Sequence, residues 1–305
     1  MLGKRLATGL TLVAVFVIVL GLDEALAPWF PLWFATVVVA IVACARELVG
    51  LLGETTAKPS ANAVYGGVLV LVAAQWLPHV VDESGRWMVP AGVSIPHDPL
   101  GPVSVMAWSL WAFVAIVMTT FVVQGLQYRR AGATLATISG TILAIAYLGL
   151  LGGFIVQMRW LEGRFHGLVP LALLVAAAKG ADTGAYTMGR IAGRNQLWPA
   201  VSPNKTIEGA VGGTAVGVGS VLVVNAVARS ILRAEALSWW SAVGFGVIVS
   251  TAAQLGDLME SMIKRDCARK DASDTLPGFG GVLDVLDSLL FAGPVAYGYW
   301  VWFGP

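Results

Sequence analysis

Charge is what this chain has least of. Only 12% of its 305 residues are Asp, Glu, Lys or Arg, where a soluble domain carries about 25%. Cysteine is scarcer still. Cys44 and Cys267 stand too far apart for a disulfide framework or a thiolate zinc site, and both are expected as small core residues. His79, His97 and His166 each lack a nearby second ligand, so a histidine metal centre is set aside and each is expected to face solvent. There is no P-loop, and no GxGxxG follows a strand.

What the chain has instead is apolar surface. Hydrophobic residues make up 57% of it. The runs are continuous, not alternating. A spanning helix needs about 20 such residues, and only helices or closed barrels satisfy their backbone in lipid. The expectation is an all-α, polytopic transmembrane helical bundle of about nine spans, near 5–22, 29–52, 62–80, 101–125, 133–157, 167–188, 207–230, 238–260 and 286–303. Lys4 and Arg5 precede the first run, and Ala25-Leu26-Ala27 resembles a cleavage site. Pro28 follows directly, so the run is read as a retained helix.

With the N-terminus cytoplasmic, thirteen basic residues fall inside and five outside, which supports that orientation and an odd number of spans. Trp29, Trp76, Trp160, Trp198, Trp239 and Trp302 fall near span ends, as an aromatic belt would. The compact length without a targeting extension favours a bacterial plasma membrane.

Chemistry is unevenly spread. Residues 1–165 offer little and are read as scaffold and lipid access; the polar loop 81–100 is placed outside. Residues 166–305 are read as the catalytic region, with its site at the cytoplasmic face. Lys179 and Asp182 are three apart near the inner end of the sixth span, one helix face. An ionisable pair in a span is a structural ion pair or the wall of a site. Ser202-Pro203-Asn204 is read as a turn before the seventh span, with Lys205 at the helix N-terminus, a place suited to phosphate, and Glu208 in the first turn. Gly209, Gly213 and Gly217 form a small-residue face, compatible with dimerisation and equally with internal packing.

Residues 254–288 hold most of the remaining charge. Asp257, Glu260, Ser261 and Lys264 share one helix face, and Asp284 and Asp287 share another. Gly278, Gly280 and Gly281 permit a tight turn before them. Two helices can therefore present carboxylates to one point. Carboxylates without His or Cys suit Mg²⁺, which takes one or two of them plus water and phosphate oxygens. Flanking Lys and Arg would neutralise a polyphosphate, a combination that fits phosphoryl or nucleotidyl transfer. A solvated loop, or an ion pathway through Asp182 and Asp257, stays open on these grounds.

Residues 261–287 resemble the signature of the phosphatidate cytidylyltransferase (CDP-diacylglycerol synthase) family. Ser261, Lys264-Arg265, Lys270-Asp271, Leu276-Pro277-Gly278, Gly280-Gly281, Asp284 and Asp287 fall in register with it. Asp182 to Tyr186, Gly189-Arg190, Ser202 to Thr206, Glu208-Gly209 and Gly256-Asp257 are also similar. Two positions depart from the pattern: Phe279 stands where the family usually has His, and Val285 where it usually has Arg.

The resemblance implies an integral membrane nucleotidyltransferase condensing CTP with phosphatidic acid to CDP-diacylglycerol and pyrophosphate. It implies Asp257 and Asp284, then Asp287, as ligands of Mg²⁺. Lys205 and Lys264 would hold phosphates, supported by Arg265, Ser202 and Asn204. Asp182 would orient the nucleotide or a second cation. No nucleic-acid partner is expected. The alternatives are another CTP-dependent lipid kinase or transferase, and a cation-coupled transporter.

Overall fold

The computed structural model describes residues 2–88, 102–129, 131–161, 167–276, 278 and 280–305. The expectations for His97, His166, Pro277 and Phe279, and most of the 81–100 loop, lie outside the described residues. The chain is all-α and polytopic. Among the described residues, seven helices are long and apolar enough to cross a membrane. The chain divides into two compact units, Met1–Gln157 and Met158–Pro305.

The first unit holds α1 (Leu2–Glu24), α2 (Pro31–Leu52), α3 (Ala61–Met88), α4 (Pro102–Gln127) and α5 (Thr134–Ile145), the last joined through a π-helical turn to α6 (Leu151–Gln157). Its core is aliphatic: Val64, Val68, Leu71, Ile145 and Leu148 are fully buried. The carboxylate of Asp23, at the end of α1, accepts the Leu32 and Trp33 amides at 2.9 and 3.0 Å, and so caps α2. The third expected span ended near 80, but α3 continues through Pro78 to Met88. His79 is accordingly helical and not a solvent-facing loop residue; its ring lies 3.1 Å from Gln157 Oε1. The partner comes from a distant helix, which residue spacing could not reveal.

The second unit holds α7 (Leu168–Ala192), a hairpin of β1 (Gln196–Trp198) and β2 (Ser202–Thr206), α8 (Ile207–Ser230), α9 (Trp239–Asp266) and α10 (Leu283–Phe303). The glycine face of α8 packs on α7. A Cβ at Gly213 would lie 2.8 Å from the Ala181 carbonyl oxygen, and one at Gly217 3.0 Å from that of Ala177. Only a hydrogen in place of a side chain permits this approach. Gly256 does the same for α9 and α10, where a Cβ would meet the Asp287 carbonyl oxygen at 2.8 Å.

Ser202, Pro203 and Asn204 were expected as a turn and instead lie on β2, paired antiparallel with β1. Extended backbone at Thr206 carries the strand straight into α8, where its hydroxyl accepts the Gly209 amide at 3.1 Å. Proline is tolerated there because a two-stranded ribbon consists of edges.

Candidate active site

α9 runs past its expected end near 260 to Asp266, and so carries Asp257, Glu260 and Lys264 along its last turns. α10 opens at Leu283, placing Asp284 in its first turn and Asp287 one turn later. Lys264 joins the two helices. Its Nζ lies 2.6 Å from Asp284 Oδ1 and forms a second ion pair with Glu260. The other Asp284 oxygen accepts the Ala272 and Gly281 amides at 2.9 and 2.7 Å. One carboxylate thus draws the loop between α9 and α10 back over the helix ends. Gly280 makes this feasible. Its φ is 93°, and a Cβ there would stand 2.7 Å from Asp284 Oδ2.

The hairpin delivers a second lysine. Lys205, at the end of β2, places its Nζ 2.8 Å from Asp257 Oδ2. Glu208 anchors the hairpin's entry, accepting the Arg194 and Asn195 amides at 3.0 and 3.2 Å and the Asn195 side-chain amide at 2.7 Å.

A third lysine reaches across from α7. Lys179 Nζ lies 3.0 Å from Asp182 Oδ2, 3.0 Å from the Val285 carbonyl and 3.2 Å from Ser288 Oγ. Asp287 is buried at 6% exposure, within range of the charges of Asp257, Asp182 and Lys179. It makes no ion pair of its own among the described residues; the Ser288 amide donates to it at 2.5 Å.

The site therefore gathers Asp182, Asp257, Glu260, Asp284 and Asp287 around Lys179, Lys205 and Lys264. Five carboxyl groups stand among three lysines, so acidic side chains outnumber basic ones in this cluster. Among the described residues, no three acidic side chains stand together as a ready-made metal cage. Mg²⁺ takes one or two protein carboxylates and completes its shell with water and phosphate, so a cation held here would not need a three-carboxylate cage.

Some expected groupings form and some do not. Asp257, Lys205, Asp284, Lys264 and Asp287 belong to one connected charge cluster. Asp257, Asp284 and Asp287 do not form a three-carboxylate group; Asp257 and Asp284 are each held by a lysine. Arg265 is exposed and donates to the Arg269 carbonyl at 3.3 Å; no ion pair to a site carboxylate forms among the described residues. Asn204 is exposed on the hairpin and Ser202 half-buried. Two contributions are larger than residue spacing suggested. Lys179 ties α7 to α10, and buried Glu260 pairs with Lys264. Glu260 was visible on the Asp257–Lys264 face, but its burial was not.

Residues 3–303 match the cytidylyltransferase family. The chain is similar to the phosphatidate cytidylyltransferase of Staphylococcus saprophyticus, 39% identical over 154 residues, which is 50% of this chain and 55% of that protein. It is 35% identical over 200 residues to the enzyme of that name from Synechocystis, covering 56% of this chain and 65% of that protein. The Staphylococcus aureus enzyme is 38% identical over 154 residues, 50% and 55% of the two chains. The chain thus spans between about half and two thirds of the length of the curated relatives it matches.

Proposed function

The chain belongs to the cytidylyltransferase family, and on that premise we propose that it transfers the cytidylyl group of CTP to phosphatidic acid, giving CDP-diacylglycerol and pyrophosphate. A phosphate oxygen of phosphatidate attacks the α-phosphorus of CTP in line; the bond from that phosphorus to the β-phosphate oxygen breaks, and pyrophosphate leaves with the electron pair. The lipid supplies the nucleophile, so the protein needs none. Its task is to position charges.

Lys205 and Lys264 are the groups that meet the triphosphate. Each rests on a carboxylate, and an arriving phosphate offers its ammonium a second anion. Lys179, tied into α10, holds Asp182 where it can orient the nucleotide. Ser202 and Asn204 lie on the strand that leads to Lys205, and Arg265 lies at the mouth of the loop. Asp257 and Asp287 would hold Mg²⁺, with Asp284 a further candidate ligand, and the ion would supply positive charge to the entering and leaving phosphate oxygens. The observation that carries this reading is the pair of lysines, one from the hairpin and one from α9, each held on a carboxylate within a cluster where acidic side chains outnumber basic ones.

The site is proposed to face the cytoplasm of a bacterial plasma membrane, where CTP is available on the aqueous side and phosphatidate in the leaflet. Membranes carrying the protein, given CTP labelled in the cytosine ring together with phosphatidate, should form a lipid-soluble labelled product, and EDTA should stop it. Transfer of the γ-phosphate of CTP to a polyprenol, with no labelled cytidine in lipid, would replace this reading with a kinase.

A further inference from the structure

The burial of the Glu260 carboxyl group has no structural justification of the usual kind. The residue is 1% exposed. Burying a carboxylate costs free energy unless ion pairs and hydrogen bonds compensate it. No amide or hydroxyl among the described residues donates to either Glu260 oxygen, and its compensation comes from Lys264 alone. An apolar side chain of the same volume would serve packing as well or better.

The geometry around Lys264 supplies a reason. The ammonium has three N–H donors. One faces Glu260, one turn earlier on α9, and one faces Asp284 Oδ1 on α10. The third is not committed to a protein acceptor among the described residues, and the side chain keeps 11% exposure. A lysine on a single carboxylate swings about that contact. Held between two carboxylates from two helices, its ammonium is fixed, and the remaining donor has a set direction. We propose that Glu260 is a positioning residue which, acting through Lys264, sets where that ammonium meets the phosphates of the nucleotide. This rests on the reading of the site as a CTP site.

Glu260→Gln replaces the carboxyl group by an amide and keeps the volume. In the purified, detergent-solubilised enzyme, kcat/KM for CTP should fall by about tenfold to a hundredfold, the range for one hydrogen bond to a charged group. The thermal midpoint without nucleotide should stay level or rise. Glu260→Asp, with its carboxylate one methylene short, should regain part of the lost activity. The rise in midpoint caused by Mg²⁺ and CTP should shrink in Glu260→Gln. It should be no smaller in a Glu260→Gln/Lys264→Met double variant than in Lys264→Met alone, since the effect passes through Lys264.

Three results would overturn the proposal: wild-type kcat/KM in Glu260→Gln, a midpoint that drops in step with activity, or a further loss of nucleotide response on adding Glu260→Gln to Lys264→Met. A wild-type enzyme that makes no CDP-diacylglycerol would instead defeat the reading on which the proposal stands.

Discussion

In residues 1–157, buried Asp23, Thr141 and Gln157 close on backbone groups of a second segment. Asp23 spends both oxygens on two amides of α2. Thr141 accepts the Ser60 amide at 2.9 Å and donates to the Thr137 carbonyl. Gln157 gives its side-chain amide to the Gln75 carbonyl at 2.5 Å. In residues 158–305, lysines pair with carboxylates across elements, and Asp287 stays open, with no ion pair among the described residues. Lys179, Lys205 and Lys264 each bridge two elements, and the carboxylates they meet outnumber them. Closed polarity holds helices together in a medium that offers no water. Open polarity leaves charge and donors over for something that is not protein.

The largest test of this contrast is to neutralise the open charges. Asp257→Asn and Asp287→Asn should each lower CDP-diacylglycerol formation about a thousandfold, the upper end for one preorganised electrostatic group, while the detergent-solubilised protein stays folded by thermal unfolding. Near-normal turnover in either variant would make that carboxylate structural, like those of the first unit.

Lys205→Met should cost about a hundredfold in kcat/KM for CTP. It should also tighten Mn²⁺ binding without nucleotide, because the ammonium competing for Asp257 is gone. Electron paramagnetic resonance of free Mn²⁺ reads this, and weaker binding would remove Asp257 from the cation's side of the site.

Gly217→Val tests packing in the second unit apart from charge. Its Cβ would stand 2.1 Å from Ser250 Oγ and 3.0 Å from the Ala177 carbonyl oxygen. Overpacking of this kind costs about 1–3 kcal/mol, so the midpoint and the activity should drop together. A drop in activity alone would give this helix contact a part in the chemistry.

The smallest effect is expected in the first unit. Asp23→Ala should lower stability by about 1 kcal/mol through loss of the cap and leave turnover per folded molecule unchanged. A kcat loss comparable to that of Asp257→Asn would erase the contrast.

Much of this was legible in the residues. Continuous apolar runs marked every long helix, because a backbone in lipid has few options. The periodicity of 257, 260 and 264, and of 284 and 287, put these side chains on one face of each helix, and the fold brings the two faces into one charged cluster. The glycine spacing on α8 announced a close contact without naming its partner, which turned out to be α7. Other features depend on partners far away in sequence. Ser202 to Asn204 looked like a turn because Ser, Pro and Asn favour turns; pairing with Gln196 to Trp198 made them a strand. His79 looked like a loop residue until Gln157 met it. Asp284 was read as a Mg²⁺ ligand; its contacts with Lys264 and two loop amides depend on residues brought together only by the fold.

The sequence alone determined that this protein spans a membrane with helices and gathers its charge near 179–208 and 254–288, since hydropathy and helical period are local properties that each segment carries by itself. Which carboxylate meets which lysine, which is left without one, and how far two helices can close were decided only in the folded chain. Those outcomes depend on distances of a few ångströms between residues up to 109 positions apart, and no local property encodes them.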